Sequence, residues 1–515
     1  MKLSARAYEI LWDAHAWAGV LSSLVLFVTF FLGAFALFAE ELSPWQEPTF
    51  RAPIAVPEAR AVELAQRLAD SEAASRPVWF GISLPTAEEP WLRLWRMTDG
   101  AIHPLWWDPV TGRQLGERSD LGEFLNAMHF LEPIPGGQHL SGLASAVLVL
   151  LVGTGLLLQL GRMMRELVQF RPGSARRVFW SDTHKVIGVI SAPFLLVFGI
   201  TGGILWLDDW FEPAVVKTSM KGDPQVKALA VDWPAPPAAS GKPAGAPDLA
   251  HALALAKQRF PASEHSWFFF DNLGDEQGIV HLPGEREGTL HAFTHVRVSR
   301  TGELLWARDT GGGTLYSRVM DPLYGLHFAT WASFPAKVLY ALLAFVSAFG
   351  ILAGNLLWLE RRRAKASSRF DRVLAMLTSG FCAGLALAVA SLFLANQLLP
   401  AELSARPSWE HAVFLAAWGL GIAGAFVDGE PARYARRLLL GASALLVVVP
   451  LIDGARMGRL PFVSGSSHVL ATELGLVALA LLLAGAARAI RRLQRPTPVA
   501  SPSTVEPDAS ASVPT

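Results

Sequence analysis

The sequence predicts an α-helical integral membrane protein of about eight transmembrane helices, the first four an internal duplication, carrying two small periplasmic α+β domains. Three observations point there. The 515 residues are 52% hydrophobic and only 17% charged, too apolar for a soluble chain of this size. Apolar runs of about twenty residues, the length that crosses a bilayer, recur eight times. Finally, a set of histidine-bearing motifs occurs twice in the first 360 residues.

The runs lie near 15–39, 140–161, 184–207, 335–359, 373–399, 409–427, 437–453 and 467–488. The first is long enough to span and has no small-residue cleavage site after it, so it reads as a helix rather than a removable signal. Lys and Arg in the connecting loops fix the orientation. Twenty of them fall on one side: Lys2 and Arg6; Arg162, Arg165, Arg171, Arg176 and Arg177; Arg361, Arg362, Arg363, Lys365, Arg369 and Arg372; Arg433, Arg436 and Arg437; Arg488, Arg491, Arg492 and Arg495. The short loops opposite hold only Arg406, Arg456 and Arg459. This asymmetry implies a bacterial inner-membrane protein with both termini in the cytoplasm. The organisation read from it is a first helix over 1–39 and a periplasmic domain over 40–138. Helices two and three come next over 139–207, then a second periplasmic domain over 208–330 and helix four over 331–360. A four-helix bundle covers 361–495, and a Pro/Ser/Thr/Ala-rich tail, read as disordered, covers 496–515.

The duplication is read from recurring motifs. Asp13-Ala-His15-Ala-Trp-Ala-Gly19-Val-Leu-Ser22 returns as Asp182-Thr-His184-Lys-Val-Ile-Gly188-Val-Ile-Ser191, and Gly33 maps onto Gly202. The helical pattern opening at Pro57 maps onto Pro247, Trp79 onto Phe269, and Thr111-Gly112 onto Thr301-Gly302. Leu125-Asn-Ala-Met-His129-Phe returns as Leu323-Tyr-Gly-Leu-His327-Phe. The lengthening offset needs two insertions, in Lys221–Gly245 and near Gly311-Gly312-Gly313, where loops tolerate added residues. Each soluble segment reads as one helix and several strands. Val78–Leu84, Trp91–Met97, Trp267–Asp271 and Gly278–Leu282 are strand-like, and WWDPVTGRQLG and VRVSRTGELL each look like two strands around a Thr-Gly turn.

The histidines carry the chemistry. Cys382 is the single cysteine, which excludes disulfide frameworks, iron–sulfur clusters and covalently attached haem. His15 and His184 each open a helix on the cytoplasmic side, and His129 and His327 each precede a helix entering from outside. A direct repeat brings His15 near His184 and His129 near His327. Two facing imidazoles form a bis-histidine haem site through neutral ring nitrogens. Gly19 and Gly188, one turn on, leave room for a flat macrocycle or a neighbouring helix. The reading is two b-type haems, with the four histidines as iron ligands; the competing reading is interfacial histidines bound to backbone or lipid. His139 rivals His129 for the outer place but has no partner in the second copy. His411 and His468 open helices six and eight at similar depth, and Glu473 lies further into the membrane. These suggest an accessory site, a third haem or a quinol pocket, or else plain interfacial residues. No side chain stands out as catalytic beyond these ligands.

The motifs DAHAWAGVLSS, DTHKVIGVISA, LNAMHF and above all LYGLHFATWASFPAKVLYALLAFVSAFGILAGNLLWLERRR resemble the PepSY-associated transmembrane family, which includes inner-membrane ferrisiderophore reductases and iron-uptake proteins. The likeness covers about residues 8–363, and WWDPVTGRQLG and VSRTGELL look like the ends of PepSY-like domains. It implies four histidine-bearing helices, two haems stacked across the bilayer and reduction of a ferric siderophore or other ferric chelate outside. This chain departs from the family pattern at Phe130, where a basic residue is expected, at Pro133 and Pro135, and in helices five to eight. No nucleotide-binding fingerprint is visible, so the electron donor reads as membrane quinol or a separate cytoplasmic reductase. With zero net charge nothing suggests a nucleic-acid partner; membrane lipid is the surrounding medium. The Trp-rich soluble segments, with Trp79, Trp91, Trp95, Trp106, Trp107, Trp267 and Trp306, suit either stacking on a chelate or core packing. Two other functions compete: a non-enzymatic PepSY-domain anchor or regulator, and a permease for haem or siderophore, for which Pro193 inside helix three is a helix-breaking hint without a counterpart in helix one.

Overall fold

A computed structural model describes residues 4–494, apart from 52–55, 78, 87–88, 99–100, 161–168, 172–173, 220–233, 287, 291–292, 364–367 and 465. Several sequence readings fall outside the described residues: the tail over 496–515, Lys2, Arg162, Arg165, Lys365, Arg495, Val78 and most of the insertion at Lys221–Gly245.

Eight helices are long and apolar enough to cross a membrane, at the eight places expected. In chain order, α1 covers Ala5–Ala36, α2 Ala39–Gln46 and α3 Glu58–Ala73. Strands β1 (Phe80–Ser83), β2 (Leu92–Thr98) and β3 (Ala101–Trp107) precede α4 (Leu121–His129) and α5 (Gly137–Gln159). Helices α6 (Arg176–Ile190) and α7 (Ala192–Ser219) are followed by α8 (Leu249–Arg259), then β4 (Trp267–Asp271), β5 (Ile279–Glu285), β6 (Phe293–Ser299) and β7 (Leu304–Arg308). Helices α9 (Leu315–Phe328) and α10 (Phe334–Arg362) complete the part that carries the four histidines. The rest is α11 (Arg369–Leu377), α12 (Ala383–Leu398), α13 (Arg406–Asp428), α14 (Pro431–Arg456) and α15 (Ser467–Leu493).

Two departures from the expected helices have local causes. The third span, expected over 184–207, is broken after Ile190, so His184 lies on α6 and the apolar span starts at Ala192. Pro193 removes a donor and crowds the preceding turn, which bends or breaks a helix just before it. The fifth span holds a π-helical turn at Thr378–Cys382 between α11 and α12. There the Trp418 indole N–H donates to the Phe381 carbonyl at 3.0 Å, satisfying backbone that an α-helix would use internally.

The soluble segments differ more. Their strands form one seven-stranded antiparallel sheet in the order β3-β2-β1-β4-β5-β6-β7, not two separate small domains. The join is β1 with β4, pairing Phe80 with Phe270 and Ser83 with Trp267. The alternation Phe80/Ile82, Phe268/Phe270, Val280/Leu282 and Val296/Val298 buries one face against α3 and α8. Neither segment's helix and strands alone would close that core, which explains the merger. VRVSRTGELL makes the hairpin β6–β7 as expected. WWDPVTGRQLG pairs more briefly. The Asp108 carboxylate accepts from the Val110 and Thr111 amides and the Thr111 hydroxyl. Across that turn the Asp108 amide donates to Arg113 O and the Leu115 amide to Trp106 O, with one antiparallel bridge, Trp107 to Gln114. The chain then turns away toward the C-terminal bundle.

That bundle grips the segment just beyond α1. Trp45 is fully buried and packs on Phe393 at 5.3 Å. Arg406, 2% exposed, bonds Glu410, the Asn396 carbonyl and Glu47. Arg51 pairs with Asp453, which also binds Arg459. Removing one partner from such a buried pair leaves an uncompensated charge, worth about 3–5 kcal/mol.

A candidate pair of bis-histidine haem sites

Helix α1 packs against α5 and α10, α5 against α7, and α6 against α10. Into this ring the four repeated histidines project as two pairs. His15 and His184 meet at the end away from the sheet, ring centroids 6.1 Å apart. His129 and His327 meet beside the sheet, 6.5 Å apart. Metal–imidazole bonds of about 2 Å, plus the half-width of each ring, put two imidazoles on opposite sides of one ion about 6 Å apart. Both separations fit an iron between the rings. No group of three or more His, Cys, Asp or Glu placed to hold a bare metal ion occurs among the described residues.

The Nδ1 atoms tell the same story. His15 Nδ1 lies 3.0 Å from Thr154 Oγ1, and His327 Nδ1 lies 2.7 Å from Thr201 Oγ1. Each threonine hydroxyl already donates its proton one turn back, Thr154 to Leu150 O and Thr201 to Val197 O, both at 2.7 Å. The hydroxyl oxygen must therefore accept, and the imidazole donates. His184 Nδ1 donates to Gly350 O at 2.9 Å and His129 Nδ1 to Thr29 O at 2.5 Å. All four rings are fixed as the Nδ1–H tautomer, which leaves Nε2 with a free lone pair for a metal.

Glycines make the room. A Cβ on Gly155 would stand 3.2 Å from the His15 ring, on Gly354 3.1 Å from His184 and on Gly33 2.7 Å from His129. On Gly202 it would stand 2.8 Å from Ser145 Oγ and 3.9 Å from the His327 ring. Gly19 and Gly188, expected to let a helix or macrocycle approach, have almost nothing near the Cβ position. They line a cavity of ≈ 910 Å³ around His15 and His184. Its lining includes Lys185, Arg361 and Arg362, with Arg361 over Trp12 at 4.9 Å and Arg362 over Trp358 at 4.3 Å. Such a space suits a flat apolar macrocycle, whose acidic arms these three cations would hold.

Other expectations fall differently. His139 stacks on Trp210 at 5.1 Å, so the sheet-side pair uses His129. His411 donates through Nε2 to Asp120 at 2.9 Å, Glu473 binds Arg459 and the Phe462 amide, and His468 is half-buried in the first turn of α15. His411 and Glu473 are thus committed elsewhere and do not form the accessory site suggested by their depth. Among the tryptophans, Trp91 and Trp106 are buried, Trp95 stacks on Trp267 at 5.9 Å, and Arg93 lies over Trp95 at 4.0 Å.

In α2, burial and the neighbouring Glu285 push the Glu40 carboxyl up to about 7. On the sheet face opposite the helices α3 and α8, His281 and His295 bond each other at 3.2 Å. Burial, and for His281 also His295 itself, holds them neutral, down at about 2 and about 3. The sequence reading missed this pair, because neither residue repeats. The residues that hold Nδ1, Thr154, Thr201, Thr29 and Gly350, were also missed.

The chain belongs to the PepSY-associated transmembrane family: the family's PepSY-associated TM region matches residues 12–361. It is also similar to an uncharacterized protein of Pseudomonas aeruginosa, 32% identical over 341 residues, which covers 63% of this chain and 85% of that protein. All four histidines lie within the residues that match the family.

Proposed function

We infer that this protein is a haem-containing electron carrier of the bacterial inner membrane, with both termini cytoplasmic and the sheet in the periplasm. It passes electrons outward to a ferric chelate such as a ferric siderophore. One observation carries the reading: four imidazoles, all held as Nδ1–H donors, face each other in two pairs at metal-bridging separation. His15 and His184 would hold one haem b and His129 and His327 the other. Bound haem supplies reversible one-electron transfer, tuned by its axial ligands and their hydrogen bonds.

The chain's own groups do the rest. Carbonyl and threonine acceptors orient each ring and raise its basicity. The surrounding apolar helices exclude water and lower the dielectric. One site toward each surface divides a core of about 30 Å into shorter steps. Reduction serves release, because ferrous iron binds hard oxygen ligands less tightly than ferric iron. The matching placement of His15/His184 and His129/His327, and the pairing of β1 with β4, support the duplication. Membrane quinol or a separate cytoplasmic reductase would supply the electrons. A permease reading gains little, since α1 runs unbroken from Ala5 to Ala36 while the break at Pro193 has no counterpart there.

The test is direct. Dithionite-reduced protein, freed of excess reductant and mixed with several ferric siderophores, should reoxidise and deliver ferrous iron to a chromogenic trap. If no ferric compound reoxidises it, the acceptor is something else.

A further inference from the structure

Helix α4 is nine residues long and ends on His129. Its start belongs to the C-terminal bundle. The Ser119 hydroxyl donates to Glu410 Oε2 at 2.7 Å, deep in the protein, where both side chains are buried. Asp120 stands at the cap position of α4, yet its carboxylate does not cap the helix; it accepts from His411 Nε2 at 2.9 Å instead. The His411 ring lies flat on Phe124 of α4, centroids 3.9 Å apart. Glu410 and His411 are adjacent residues in the first turns of α13, so this helix grips the beginning of α4 by a buried hydrogen bond, a hydrogen bond to its cap residue and a ring stack. It does so alongside Gln46 of α2, whose Oε1 accepts from the Gly122 amide at 2.8 Å.

A cap residue that gives up its cap weakens its own helix. Here the Asp120 carboxylate turns to α13, and the Gly122 amide it leaves free is taken by Gln46 Oε1 of α2, so the helix start is positioned by other elements, α13 among them. Helix α9, which ends beyond His327, is held otherwise: Thr314 caps it in the usual way, accepting from Ser317 N, and Arg308 of β7 bonds Asp321.

We propose that Glu410 and His411 are positioning residues for the sheet-side haem site, fixing through Ser119, Asp120 and Phe124 the helix that presents His129. His411 acts on the site through α4 and does not ligate a metal. The proposal rests on the haem reading above for its spectroscopic consequence, but its structural part can be read without haem.

The experiment uses the full chain in detergent with Ser119→Ala/His411→Ala, the milder Asp120→Asn, and His411→Gln, which restores a donor. Amide hydrogen exchange over 124–129 should rise about tenfold or more in the double variant, with 315–328 unchanged and His411→Gln partly restored. Haem per chain should stay at the wild-type value while the midpoint potential of the sheet-side haem moves and that of the other does not. Unchanged exchange over 124–129, or equal acceleration in both helices, overturns the proposal. So does loss of one haem in a His411→Ala single variant with exchange unchanged, since His411 would then be a ligand. Should wild-type protein bind no haem, the functional reading fails, while the exchange comparison still decides the positioning role.

Discussion

His129 and His327 occupy matching places in two related stretches of sequence, yet the structure holds them by different means. His129 gives its Nδ1 proton to a backbone carbonyl, Thr29 O, and His327 gives its proton to a side chain, Thr201 Oγ1. At the other end the choice is reversed: His15 uses the Thr154 hydroxyl and His184 the Gly350 carbonyl. What the two halves share is the outcome, an imidazole with Nδ1 committed and Nε2 open. Chemistry of a metal ligand constrains the tautomer, while many neighbouring groups can enforce it.

The sharpest break should come from the glycines. Gly33→Ala drives a methyl to 2.7 Å of the His129 ring, whereas Gly202→Ala leaves His327 at 3.9 Å and presses Ser145 instead. Gly33→Ala should empty most of the sheet-side haem, and Gly202→Ala should keep it, as measured by haem per chain. Equal losses would mean that the two halves are not held differently.

Thr201→Val and Thr154→Val come next. Each deletes the acceptor that fixes a tautomer, a change that typically lowers affinity about 10–100-fold. Thr29→Val should have little effect, because His129 uses its backbone oxygen. Haem titration of the apoprotein ranks the three, and a large loss in Thr29→Val would contradict the assignment.

The smallest effect concerns pH and the two halves of the sheet. His281 and His295 sit on β5 and β6, with folded values of about 2 and about 3 against an ordinary 6.5. Below pH 6.5 the unfolded chain gains protons that the folded chain refuses, so their contribution is complete above 6.5 and is lost as pH falls toward 3. Amide exchange should therefore accelerate in β5 and β6 before β1 and β2 between pH 7 and 4, and His281→Gln should flatten that difference.

Much of this was legible in the residues. Helix spans follow from apolar length, and the histidine pairs follow from His15/His184 and His129/His327 repeating with their flanks. The merged sheet was not legible: strand pattern shows which residues share a face, but not that β1 would find β4 as its neighbour rather than closing a separate domain. Thr154, Thr201 and the Gly350 carbonyl were invisible because they do not repeat, and a backbone acceptor leaves no signature at all. His411 showed depth but not direction; only packing reveals Asp120 and Phe124 as its partners.

The central claim is two haems held by the two histidine pairs, and the absorption spectrum of purified protein, oxidised and dithionite-reduced, with haem quantified per chain, tests it most directly. The account predicts sharp reduced b-type bands and about two haems in the wild type, with one remaining in His184→Ala and one in His327→Ala, each the site the other variant loses. A colourless preparation, or full haem content in both variants, would contradict it.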